Sequence, residues 1–312
     1  MTTCETHIEG HIREPDGGPV PADRFLRGLE TCYKTAVFFS VHEPPSQRTP
    51  VIVEVPHAGL SVDAESMATL IAPTQSLGRD ADLFVDDLYA DAPDVGATLL
   101  VSHVSRYVCD LNRAETDVDP LTVEGGAARS APHGVIWRVT TDNRPALTRP
   151  LPFSELERRL VRIYRPYHQT LQALIDQRVA EFGYAILLCG HSMPSRGREG
   201  HIDPGRERAD VVPGSRGRTT CAESVLRLVD RNAAVHRLSV AHDEPYRGGF
   251  STSHYGRPRD RVHAIQIELA RRLYMDEQTL TKKPREFDDL RGFCRRLTAA
   301  LGELTLGPAS HT

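Results

Sequence analysis

The chain lacks a strong charge of either sign: across 312 residues the formal net charge is −4. That leaves no electrostatic footprint for nucleic acid or an anionic membrane. No apolar run approaches the roughly 18 residues that a membrane-spanning helix needs. The six cysteines are Cys4, Cys32, Cys109, Cys189, Cys221 and Cys294. They form no C-x-x-C pair, so neither a zinc finger nor a disulfide framework is expected. Cys109 and Cys189 lie in apolar runs and read as small buried hydrophobes. No charged-then-apolar leader, fixed-period repeat or low-complexity tract is visible. The expected setting is the reducing cytoplasm.

What is present is the composition of a folded globular protein, 39% apolar and 26% charged. Residues 1–49 are polar, interrupted by Gly and Pro, and read as an N-terminal extension with one weak strand at Thr35–Val41. Residues 50–312 read as a single domain. Strands are expected at Val51–Val55, Ala97–Val104, Tyr184–Cys189, Ser239–His242 and His263–Glu268. Helices are expected at Asp80–Tyr89, Ser154–Phe182, Thr220–Leu238 and Phe287–Glu303. Ser154 is the expected N-cap of the long helix, and Pro166 predicts a kink or two abutting helices there. Alternating helices and continuously apolar strands predict a mostly parallel sheet covered on both faces. Two irregular stretches, Asp117–Pro150 and Ser192–Thr219, are too long to be plain connections and read as active-site loops.

Three apolar runs carry polar residues out of place. Val51–Val55 runs into His57, Ala185–Cys189 runs into His191, and Ala264–Leu269 contains Glu268. A carboxylate in such a run costs on the order of several kcal/mol unless it is paired or does acid–base work. Histidines at two strand ends point into the crevice where open α/β sheets bind ligands. Two histidines and one carboxylate are a common ligand set for catalytic zinc. Asp82 is the first choice for the carboxylate and Asp86 the second, both on one face of the expected helix.

The segment Ser105–Arg113 is the densest in charge. Arg106, Asn112 and Arg113 have the chemistry to clamp a carboxylate or polarise a carbonyl, with Asp110 orienting them. Arg247 and His254 flank the double glycine Gly248-Gly249 in a loop and are candidates for substrate binding. His168 reads as structural.

These segments, taken in order, resemble the N-formylglutamate amidohydrolase (N-formylglutamate deformylase) family. The resemblance rests on VPHAG at 55–59, DADLFVDDLY at 80–89, SRYVCDLNR at 105–113 and YRPYHQTL at 164–171. It continues through GHSMPS at 190–195, PYRGGF at 245–250, HYGRP at 254–258 and HAIQIELARRLYMDE at 263–277. The family is related in fold to zinc carboxypeptidases and aspartoacylases. That implies a three-layer α/β/α fold with a central mixed, mostly parallel sheet and one zinc ion per chain at strand ends. By resemblance His57 and His191 are metal ligands and Glu268 activates water. Arg106, Asn112 and Arg113 hold the substrate's carbonyl and carboxylate. The implied reaction hydrolyses a small N-acyl amino acid, N-formyl-L-glutamate, to formate and L-glutamate in histidine degradation. A zinc carboxypeptidase or cell-wall peptide hydrolase, and a non-catalytic metal- or ligand-binding protein, are the rival readings.

Overall fold

The computed structural model describes residues 38–125 and 133–306. The expected extension lies largely outside the described residues, as does the start of the weak strand at Thr35–Val41. Eight strands are described: β1 Phe39–His42, β2 Val51–Val55, β3 Thr98–Ser102, β4 Ala185–Met193, β5 Val211–Gly214, β6 Val262–Ala270, β7 Met275–Asp276 and β8 Thr281–Lys282. The α-helices are α1 Ala64–Met67, α2 Thr74–Asp80, α3 Val85–Leu88, α4 Phe153–Arg159, α5 Arg165–Phe182, α6 Glu223–Val235, α7 Phe250–Tyr255 and α8 Pro284–Gly302.

Six strands form one sheet in the order β1-β3-β2-β4-β6-β5, and β7 and β8 form a separate hairpin. The inner four, β3, β2, β4 and β6, run parallel. The edges β1 and β5 run antiparallel to their neighbours. Because β1 pairs with β3, the sheet takes in residues ahead of Pro50. β5 escaped the sequence reading because it lies in a Gly- and Arg-rich stretch and contains Pro213. A proline is tolerated at a sheet edge, where one row of N–H groups needs no partner. The strand expected at Ser239–His242 is only a bridge from Val240 to Val211.

The sheet has a core on each face, as a three-layer α/β/α domain requires. Val51, Val53 and Val55 of β2 pack with Val85 and Leu88 of α3, Val225 and Val229 of α6, and Phe293 and Leu297 of α8. Ile52, pointing the other way, packs with Leu156 of α4 and Tyr167, Leu171 and Ile175 of α5. Strict alternation along a strand buried on both faces makes both sets apolar. The long helix is divided where Pro166 predicts a break. α4 starts after Pro152 rather than at Ser154, and a π-helical turn at Leu160–Tyr164 leads into α5. Pro166 offers no N–H, and its ring crowds the preceding turn, so the wider turn absorbs the fault. No described helix is long and apolar enough to cross a membrane.

The helix expected at Asp80–Tyr89 does not form as one piece. α2 ends at Asp80, Ala81 is extended, and Phe84 takes a left-handed φ of 65° before α3 begins. Asp82 therefore sits in a break between two helices, which decides its role.

Candidate active site

A cavity of about 290 Å³ opens beyond the carboxyl ends of β2, β4 and β6. His57 lies two residues past β2. His191 of β4 and Glu268 of β6 are register partners across the sheet, so the pleat turns both side chains to one face. The Asp82 N–H donates to the His57 carbonyl at 3.0 Å, which ties the inter-helix break to the end of β2. Asp82 Oδ2 then lies 3.0 Å from His191 Nδ1 and 3.6 Å from His57 Nδ1. One ligand atom from each of the three lies within 4.8 Å of the others, and all three residues are buried. Asp86 sits on α3 and does not line the cavity, because the break at Phe84 takes it off Asp82's face.

The group fits a divalent cation. Asp110 can only accept, so the 2.7 Å contact between its Oδ1 and His57 Nε2 puts the imidazole proton on Nε2. That leaves the His57 Nδ1 lone pair facing Asp82. Oriented in this way by an outer carboxylate, a histidine is prepared for a metal. Burial works against ionising Asp82, but the hydrogen bond from His191, with the His57 imidazole beside it, holds its carboxyl well below the usual carboxylate range. A buried anion between two imidazoles has the chemistry to hold a cation.

Asp110 is the hub of one wall. Its Oδ2 accepts from Arg106 Nη2 at 2.9 Å and from Trp137 Nε1 at 2.9 Å, while Oδ1 also accepts the Asn112 N–H at 2.9 Å. The Arg106 guanidinium lies 4.3 Å over the Trp137 ring, so it is fixed both in its plane and above it. Asn112 Nδ2 is 3.3 Å from His191 Nε2 and 3.4 Å from Gln266 Oε1. Glu268 is 6% exposed and accepts from Gln266 Nε2 at 2.9 Å. Burial raises its carboxyl to about 7; Asp82 adds to this, and His191 and Arg106 oppose it. Burial wins over those two neighbours, and the group is suited to exchange a proton near neutrality.

Six arginines line the cavity: Arg79, Arg106, Arg113, Arg198, Arg247 and Arg271. Four are engaged by carboxylates, Arg79 with Asp142, Arg106 with Asp110, Arg198 with Asp80 and Arg271 with Asp82. The side chains of Arg113 and Arg247 have no hydrogen-bond or ion-pair partner among the described residues. Both irregular stretches reach the cavity, one through His133, Trp137 and Thr141, the other through Arg198, Gly200 and His201. Arginines of the second are paired with carboxylates, Arg208 with Asp203 inside the stretch, and Arg206 with Glu244 and Arg218 with Glu223 beyond it.

His254 is the candidate that the fold removes from this cavity. α7 begins just after Gly249, so Gly248 and Gly249 line the site while His254 stacks on Phe250, one turn earlier, at 4.7 Å. It lines a second cavity of about 300 Å³ with Tyr164, His168 and Tyr255. His168 is structural in the sense expected, its Nδ1 lying 2.9 Å from the Tyr255 hydroxyl. Residues the sequence reading passed over include Arg271, which donates to Asp82 and to the Ala81 carbonyl. Asp80 gathers Tyr107, Thr141 and Arg198. Glu54, in the middle of β2, is also buried. Its signal was available: it is a charge inside an apolar run, as Glu268 is.

A mixed α/β sheet thus gathers a buried His–Asp–His group, a raised glutamate and unpaired arginines around one cavity. The family comparison is specific: the chain belongs to the N-formylglutamate amidohydrolase family, whose model matches residues 49–275. It is 35% identical over 234 residues to an N-formylglutamate deformylase of Pseudomonas aeruginosa, covering 74% of this chain and 84% of that one. A deformylase of the same name from Pseudomonas putida is 32% identical, covering 74% and 83%. Among solved structures, the N-formylglutamate amidohydrolase of Ralstonia eutropha superposes with a TM-score of 0.79 at 32% identity, covering 85% of this chain and 97% of that one. A gene product of Agrobacterium tumefaciens, 17% identical with a TM-score of 0.61, shares the fold over 85% of this chain and 94% of its own.

Proposed function

We propose that the protein hydrolyses the amide of an N-formyl amino acid, with N-formyl-L-glutamate as substrate and formate and L-glutamate as products. In that role it would close a histidine-degradation route. The observation that carries this reading is the convergence of Glu268, the His57–Asp82–His191 group and two unpaired arginines on one small cavity. The same donor set suggests zinc, which takes two imidazoles and a carboxylate and keeps a position open. Bound there, zinc would act as a Lewis acid, polarising the formyl carbonyl and lowering the pKa of water.

The chain's own groups do the rest. Glu268 accepts a proton from the attacking water as the water oxygen bonds to the formyl carbon. It delivers that proton to the nitrogen as the C–N bond breaks. Arg106, held rigid by Asp110 and Trp137, directs an N–H at the carbonyl oxygen where negative charge develops. Asn112 and Arg113 take the α-carboxylate and Arg247 the side-chain carboxylate. Guanidinium groups without an internal partner are the ones available to a ligand. A cavity of about 290 Å³ suits a small molecule better than the long groove of a peptide hydrolase.

The test is formate release from N-formyl-glutamate, N-formyl-glutamine and N-formyl-leucine, with metal content measured on the same sample. A clear preference for the glutamate derivative in zinc-loaded protein is expected. Equal turnover of all three would remove the side-chain carboxylate from recognition, and release from none would overturn the reading.

A further inference from the structure

Glu54 is a carboxyl group that this reaction does not use. It lies fully buried in β2, on the face opposite Val51, Val53 and Val55. Its Oε1 accepts from the Ser251 hydroxyl at 2.8 Å and the Tyr167 hydroxyl at 3.2 Å, and its Oε2 has no hydrogen-bond partner. An apolar side chain of similar size would fill this space without the penalty of desolvating a carboxyl. What the carboxyl offers and a leucine does not is an acceptor that fixes its neighbours.

The tie continues from Ser251 into the cavity. The Ser251 N–H donates to Asn112 Oδ1 at 2.9 Å. With Oδ1 taken, the Asn112 amide is set with Nδ2 toward His191 and Gln266. The Gly249 N–H donates to the same Gln266 Oε1 at 2.8 Å. α7, which carries Ser251, has six residues and no side-chain N-cap. A helix so short does not hold its own geometry and takes it from tertiary contacts. The approach is also close, since a Cβ on Gly249 would come within 2.2 Å of Asn112 Nδ2.

We propose that Glu54 is a positioning residue: by anchoring Ser251 it fixes the first turn of α7, and that turn sets the Asn112 amide for the substrate's carboxylate. The inference rests on the carboxylate-binding role given to Asn112 above. Tyr167 supplies an internal control. It reaches the same oxygen of Glu54 from α5, but its hydroxyl makes no hydrogen bond to α7 or to Asn112.

The experiment compares Ser251→Ala, Tyr167→Phe, Glu54→Leu and Glu54→Gln with the natural chain. Kinetics on N-formyl-glutamate are paired with hydrogen–deuterium exchange of residues 249–256. Ser251→Ala should raise KM about tenfold, with kcat within about twofold, as the loss of one buried tie predicts. Glu54→Leu should do the same, Glu54→Gln should recover most of the loss, and Tyr167→Phe should keep the natural KM. Exchange at 249–256 should quicken in Ser251→Ala and not in Tyr167→Phe. A merely structural role would lower Tm in all and leave KM alone. The proposal fails if Ser251→Ala keeps the natural KM, or if Tyr167→Phe matches it in KM or in exchange. Should the natural chain release no formate, the functional reading falls separately, and the exchange comparison alone decides the tie. Ser251→Ala retains the backbone N–H to Asn112, so it tests the anchor even where Glu54→Leu does not fold.

Discussion

Glu54 and Glu268 lie on strands that flank β4, opposite Cys189 and His191 respectively. One step of the pleat along β4 separates them, and both are buried, at 0% and 6% exposure. Their surroundings differ completely. Glu54 lies under α5 and α7 and meets neutral hydroxyls, so burial raises its carboxyl against the opposing effects of Ser251, Cys189 and His191. Glu268 lies where those helices stop, among His191, Arg106 and Arg271, which hold its carboxyl near 7 against burial and Asp82. In the proposed reaction the same side chain would thus be a fixed tie on one side of the step and a proton carrier on the other. Solvent access and neighbouring charge make the difference, not residue type.

The largest expected effect tests the cavity side of that contrast. Asp82→Ala should abolish metal binding and activity together, while Asp86→Ala keeps both. Metal analysis of the two purified variants checks this, and metal retained by Asp82→Ala would remove it from the ligand set.

Next in size is the direct exchange of the two glutamates for glutamine. Glu268→Gln should lower kcat by about 10²–10⁴ with metal content unchanged, as loss of a general base does. Glu54→Gln should stay within a few-fold of the natural enzyme, because the amide oxygen still accepts from Ser251. Comparable rate losses in both would erase the distinction drawn between them.

A smaller effect concerns the unpaired arginines. Arg247→Ala should lower kcat/KM for N-formyl-glutamate by about 10- to 100-fold, the scale of one charge-assisted contact. It should barely change the rate for N-formyl-leucine, whereas Arg113→Ala weakens both. Parallel losses on both substrates in Arg247→Ala would reassign that residue.

The smallest effect lies on the core side and is a pH dependence of stability. Burial, and then His254, push the His168 imidazole down to about 3. Between about 6.5, the unfolded value, and 3, the unfolded chain binds a proton that the folded one refuses. The contribution is whole above pH 6.5 and declines as pH falls, by up to about 1.4 kcal/mol per unit. Urea unfolding of metal-free protein at pH 7, 6 and 5 should therefore show a shallower decline for His168→Gln. Identical slopes would mean that His168 protonates in the folded state.

How much was legible in the sequence depends on how local the cause was. The positions of β2, β4 and β6 follow from apolar runs that end in turn residues, and those runs survive in the fold. Pro166 marked the break between α4 and α5 because a missing N–H acts within one turn. β5 was not legible, since an edge strand with Pro213 in a polar stretch carries no periodic signal. The helix at Asp80–Tyr89 looked continuous, but Phe84 adopts a left-handed φ to let Asp82 reach the end of β2. No local propensity announces that departure.

By itself the sequence determined that two histidines and a glutamate end up at neighbouring strand ends, because burial of β-prone runs leaves no other place for them. It also marked three of the six cavity arginines, Arg106, Arg113 and Arg247, through their place in the motif segments. Only the tertiary structure decided that Asp82 and not Asp86 joins the histidines, and that His254 turns away on α7. Only it decided that four of the six cavity arginines are taken by carboxylates. Those outcomes depend on pairs such as Arg198 with Asp80 and Ser251 with Glu54, residues far apart in the chain whose Coulomb and hydrogen-bond energies exist only once the sheet has brought them together.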